Sequence, residues 1–202
     1  NSLKNYPYRF WRLIMFIQTE ATPNPATLKF IPGRDVYKDG TLEFNNRGSA
    51  DFSPFAQSLF NIDGVKSIMF GDDFIAITKN SNIEWHHLKP EVLGAIMDGF
   101  VANMPIFIGT KDEYRPAPKY EGDTALVVAE IEELLLTRVR PAVAQDGGDI
   151  EFDSFDEGTG VVYLRMRGAC SGCPSSAITL KSGVENMIKH YVPEVTRVEQ
   201  VF

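Results

Sequence analysis

The chain has 202 residues, 44% of them hydrophobic, and a net charge of −7. That is enough for two small domains with cores of their own, and no apolar run approaches the ~20 residues of a membrane-spanning helix, so membrane insertion is not expected. Acids outnumber bases before Thr124 (15 against 13) and from it onward (12 against 7), so neither half offers the basic surface that nucleic-acid binding needs; the excess reads as solubility.

Asn1 to Ile14 hold Lys4, Arg9 and Arg12, several aromatic residues and no acid. They read either as the remnant of a transit peptide or as an extension ahead of a start at Met15. Met15–Thr19 predicts a strand, Thr22-Pro23-Asn24-Pro25 a turn, and Leu28–Ile31 the returning strand. The chain is then irregular to Ser53, which caps a short helix from Pro54 to Phe60. Val65–Phe70 and Phe74–Thr78 form a hairpin about Gly71-Asp72-Asp73. Leu88 to about Asn103 is a helix with Val92, Ile96 and Phe100 on one face. Residues 109–123, charged and proline-bearing, read as a linker between a domain at 15–108 and one at 124–202, leaving the two independent.

The second half opens with a helix from Thr124, its end kinked or interrupted by Pro141. Asp146-Gly147-Gly148-Asp149 is a turn, Ile150–Phe155 and Val161–Arg167 are strands, Pro174 to about Tyr191 is a helix, and Thr196–Val201 is a last strand. The fold class is therefore α+β in two small domains. The second is a helix–strand–strand–helix–strand unit with two helices on a three-stranded sheet.

Chemistry concentrates at Gly168-Ala169-Cys170-Ser171-Gly172-Cys173-Pro174-Ser175, which holds both cysteines of the chain. Two cysteines are too few for a secreted disulfide framework, so a reducing compartment is expected. Pro174 suits the first helical position, which makes Cys173 the helix N-cap and aims free amides and the positive helix end at both sulfurs. Lowered thiol pKa values are expected there, with Arg165, Arg167 and Lys181 as further nearby cations. Three centres compete. An iron–sulfur cluster needs four thiolates, which a twofold dimer supplies. A dithiol–disulfide oxidoreductase would use the same spacing, although a hairpin, not a strand–helix–strand unit, precedes the motif. Structural zinc would need a second chain or a histidine.

His190 falls about 25 Å along the helix from Cys173, and His86-His87 read as a surface pair. Asp146 and Asp149 resemble a carboxylate pair but are read as an Asp-Gly turn feeding a strand. No Ser-His-Asp arrangement and no phosphate-cradling loop is present.

Residues Thr137-Arg138-Val139-Arg140-Pro141-Ala142-Val143-Ala144-Gln145-Asp146-Gly147-Gly148-Asp149, the cysteine motif with Thr179-Leu180-Lys181 and Gly183, and the ending Val192-Pro193-Glu194-Val195 resemble the NifU-like C-terminal domain. Met15-Phe16-Ile17-Gln18-Thr19, Thr22-Pro23-Asn24-Pro25, Leu28-Lys29-Phe30 and Phe70-Gly71-Asp72-Asp73-Phe74 are similar to the Nfu N-terminal domain. The resemblance implies a non-enzymatic iron–sulfur cluster scaffold and carrier. It implies a [4Fe–4S] cluster held by Cys170 and Cys173 of two protomers, in a homodimer or higher oligomer. It implies upstream cluster-assembly proteins as donors, and apo iron–sulfur proteins such as lipoate synthase, aconitase-type and respiratory proteins as clients. Residence in the mitochondrial matrix or an alphaproteobacterial cytoplasm would follow.

Overall fold

The computed structural model describes residues 16–109, 120–171 and 174–201. Most of the stretch read as a linker, the segment before Phe16, and Gly172 and Cys173 lie outside the described residues.

The first half forms one antiparallel sheet with helices on one face. Strands β1 (Gln18–Ala21), β2 (Thr27–Ile31), β3 (Leu42–Phe44), β4 (Val65–Phe70) and β5 (Ile75–Lys79) lie in the order β1-β2-β5-β4-β3. Period-two alternation sends Phe30, Ile68, Phe70, Ile75 and Ile77 into one core. Helices α1 (Pro54–Phe60) and α2 (Trp85–Val101) close that core with Phe55, Leu59, Leu88, Val92 and Ile96. The start of α1 follows the sequence expectation: Ser53 Oγ accepts from the Ala56 amide at 3.1 Å, and Pro54 takes the first position. Helix α2 begins a turn earlier than expected. The Trp85 indole donates to the Pro25 carbonyl at 3.0 Å, which ties the extra turn to the β1–β2 connection. Strand β3 and a 3-10 turn at Arg47–Ala50 occupy part of the stretch expected to be irregular.

The second half is a three-stranded sheet, order β6-β7-β8, from β6 (Gly148–Asp156), β7 (Val161–Gly168) and β8 (Arg197–Val201). Strands β6 and β7 form an antiparallel hairpin; β7 and β8 are parallel, joined through α5 (Pro174–Tyr191). A bulge between Phe152 and Ser154 resets the alternation, so Ile150, Phe152 and Phe155 all reach the helical side. The opening helix, α3 (Gly122–Leu134), passes through a π turn at Leu135–Val139 and resumes as α4 (Arg140–Gln145). The interruption expected from Pro141 is this wide turn, which accommodates a residue with no amide hydrogen. Val162, Leu164 and Met166 of β7 are buried against the helices, as their alternation predicts.

The two halves are not separate. Met69 and Ala76 of the first sheet and Phe74 of the turn between β4 and β5 form an apolar cluster with Ile31 and with Ala144 of α4. Among the described residues, no helix is long and apolar enough to cross a membrane.

Gly99 of α2 lies against the buried Phe55 ring, where an added Cβ would sit 2.4 Å from the ring edge. Phe55 is itself locked between Phe70 and Phe100. Gly99→Ala is expected to lower stability by about 1–3 kcal/mol through overpacking, read as a lower urea midpoint at unchanged slope. An unchanged midpoint would show that the ring cluster can yield.

Candidate functional site

Strand β7 ends at Gly168, a 3-10 turn over Ala169–Ser171 follows, and α5 begins at Pro174. Gly168 has φ +59°, and a Cβ on it would meet the Gly147 carbonyl at 2.6 Å and the Met69 thioether. Only glycine fits there. The turn is stitched locally: the Ala169 amide donates to the Gly147 carbonyl at 3.1 Å, and Ser171 Oγ donates to the Gly168 carbonyl at 2.9 Å. Gly148 lies directly beneath Cys170, with its missing Cβ position 2.2 Å from Sγ.

The Cys170 side chain is therefore packed inward, 8% exposed, at the rim of the C-terminal core. Burial pushes its thiol up to about 12, and the nearby carboxylates of Asp146, Asp149 and Glu43 act in the same direction. This corrects the expectation of a lowered pKa at Cys170. The cations expected to help are turned elsewhere: Arg165 pairs with Asp153, Arg167 with Glu151 and Lys181 with Glu199. Cys173 precedes α5 by one position in sequence and lies outside the described residues.

Asp149 is more than a turn residue. Only 2% exposed, it accepts two hydrogen bonds from Arg140, at 2.8 and 2.7 Å, and one from its neighbour's amide. This fork-to-carboxylate pair clamps α4 to the start of β6. Thr41 Oγ1, from the first half, donates to the same carboxylate at 2.5 Å. Three more contacts cross the seam. Glu43 accepts from the Gly168 amide at 2.7 Å, Lys29 Nζ donates to the Gln145 carbonyl at 3.1 Å, and Met69 covers Gly168. Burial pushes the Glu43 carboxyl up, while the Gly168 amide and then Arg167 pull it back. Lys29, Thr41, Glu43 and Met69 carry no signal of this role in their spacing; Asp149 reads in the sequence as a turn residue, and it stands with Arg140 inside the stretch resembling the NifU-like domain.

The histidines play no part here. His86 and His87 are exposed and ring-to-ring at 3.8 Å in the first turn of α2, and His190 rests against Tyr191 near the end of α5. Among the described residues no group of three or more His, Cys, Asp and Glu side chains is placed to hold a metal ion.

The sequence model of the family described as "Scaffold protein Nfu/NifU N terminal" matches residues 17–103, and that of the "NifU-like domain" matches residues 131–199. The "NifU-like protein 4, mitochondrial" of Arabidopsis thaliana is 50% identical over 191 residues, spanning 95% of this chain and 68% of the relative. The chain belongs to the Nfu/NifU scaffold family. A second Arabidopsis thaliana relative, "NifU-like protein 5, mitochondrial", is 49% identical over 95% of this chain and 70% of its own length. The human "NFU1 iron-sulfur cluster scaffold homolog, mitochondrial" is 47% identical over 97% of this chain and 74% of its own length. In these terms, the Nfu part contributes Lys29, Thr41, Glu43 and Met69 to the seam, and the NifU-like part contributes Gln145, Asp149 and Gly168.

Two outcomes are expected. Asp149→Ala leaves the partly buried Arg140 guanidinium without its partner and should lower stability by about 2 kcal/mol, measured by urea unfolding. In a Cys173→Ser protein, Cys170 should react with iodoacetamide near neutral pH roughly a hundredfold more slowly than in the urea-unfolded chain; equal rates would mean that the thiol is not held inside.

Proposed function

We propose that this chain is an iron–sulfur cluster scaffold and carrier. Two copies hold a [4Fe–4S] cluster between them on Cys170 and Cys173 and hand it to apo-proteins. The observation that carries the reading is the placement of both cysteines of the chain between the end of β7 and the start of α5, with Pro174 opening that helix. A helix beginning there leaves unsatisfied amides and a positive end at its start, next in sequence to the two cysteines. Family membership supports it, as do relatives named as iron–sulfur cluster scaffolds.

The stoichiometry follows from ligand count. A cluster of this class takes four thiolates, and each chain owns two cysteines, so a twofold pair completes the set. Half of the ligands leave when the chains part, which suits a cargo that must be released. Cys170 is the softer, thiolate-forming donor that iron prefers over the carboxylates around it, but its side chain is turned inward. Loading therefore requires the Ala169–Ser171 turn to rotate its thiol outward and lose a proton. Because relatives are named mitochondrial, the mitochondrial matrix is the proposed setting. Upstream cluster-assembly proteins are the proposed donors, and apo-proteins of the lipoate synthase, aconitase and respiratory types the proposed clients.

Anaerobic reconstitution with iron and sulfide, followed by metal analysis, Mössbauer spectra and native mass, tests the reading. About four irons per two chains, with dimerisation on loading, is expected. Cys170→Ser and Cys173→Ser should each abolish the cluster and leave the circular dichroism unchanged. A protein that binds no iron but cycles a Cys170–Cys173 disulfide and reduces insulin would instead be a dithiol oxidoreductase.

A further inference from the structure

The strand register sets up a feature that no single residue reveals. Glu20 pairs with Lys29, Lys29 with Ala76, Ala76 with Met69, and Met69 with Glu43. These five residues form one row across the whole N-terminal sheet, on the face opposite α1 and α2. Four of the five meet the C-terminal half at the end that carries the cysteine loop. Lys29 reaches the Gln145 carbonyl, Ala76 lies near Gly147, Met69 covers Gly168, and Glu43 holds the Gly168 amide. The face is a fitted one. Lys29 is 8% and Met69 1% exposed, and side chains on Gly147 or Gly168 would strike across the seam.

We propose that the N-terminal sheet is a cap on Gly168, where the cysteine loop begins, and that this row must leave Gly168 before two chains can share a cluster. The inference rests on the carrier reading given above. Sharing requires the loop end of one chain to face the loop end of another. In the closed chain, Met69 and Glu43 occupy the approach to Gly168, two residues before Cys170, and two bodies cannot take one face. Charge acts in the same sense, since the Glu43 carboxylate lies beside a site that must gather thiolates. Release also frees the Gly168 amide, and amides that hydrogen-bond to sulfur are among the groups that stabilise such centres. The cap therefore holds the Gly168 end of the turn that must rotate Cys170 outward, and loading and capping exclude one another.

The test compares wild type with Glu43→Ala, Met69→Ala and the pair, in the full chain. Three quantities are read: hydrogen exchange of the Gly168 amide by NMR without iron, iodoacetamide labelling of Cys170 in a Cys173→Ser background, and the initial rate of cluster uptake from iron and sulfide with both cysteines intact. Exchange and labelling should rise at least about tenfold in the double variant, as loss of a hydrogen bond to a charged group allows, and uptake should rise severalfold. Glu43→Ala alone, on the sheet-edge strand β3, should give the exchange effect even if the Met69 change unfolds the sheet. Unchanged exchange and labelling would overturn the cap. Faster labelling with unchanged or slower uptake would overturn its link to loading. No cluster in wild type or any variant, with faster labelling in the variants, would overturn the carrier reading, and the uptake step with it.

Discussion

The N-terminal sheet has helices on one face only, and its other face is not made for water. Alternation along β2, β4 and β5 gives Phe30, Ile68, Phe70, Ile75 and Ile77 to the helices and sends Met69 and Ala76 the other way. An antiparallel sheet ordinarily leaves that second face solvated. Here it carries an apolar centre between charged ends, Lys29 on one side and Glu43 on the other. Such a face needs a cover with a matching carbonyl, a matching amide and no bulk between them. The end of the C-terminal half supplies these as the Gln145 carbonyl, the Gly168 amide and the surfaces of Gly147 and Gly168.

The same packing explains the state of the cysteine. The Arg140–Asp149 pair fixes where β6 begins and so sets Gly148 under Cys170. With a glycine below and the core beside it, the thiol fits inward as a small apolar group. Burial and three carboxylates then favour the protonated form. The fold keeps this thiol quiet by geometry first and by charge second.

Much of this was legible in the residues. The β4–β5 hairpin, the Ser53-Pro54 helix start, the β6–β7 hairpin and the helix opening at Pro174 all rest on signals within a few positions of one another. Strand β3 was not legible, because three residues, Leu42–Phe44, are held by pairing with β4 and not by their own pattern. Pro141 announced a disturbance but not its form, since the π turn places the break before the proline and lets the helix resume. The raised pKa of Cys170 was not legible because a helix terminus is a local feature, whereas the burial that dominates comes from packing against Gly148 and the C-terminal core, with Asp146, Asp149 and then Glu43 adding to it. Met69 and Lys29 each look like an ordinary strand residue, and Glu43 falls in a stretch read as irregular; only strand order and register line them up.

Cover and covered surface belong to one polypeptide, so their encounter is first order, whereas the meeting of two chains is second order. A partner on the same chain acts at an effective concentration that dilution does not lower. Under the proposed exclusion of capping and pairing, scarce protein would stay closed, and pairing would prevail only once the abundance of the chain exceeds what its own sheet contributes as a competitor.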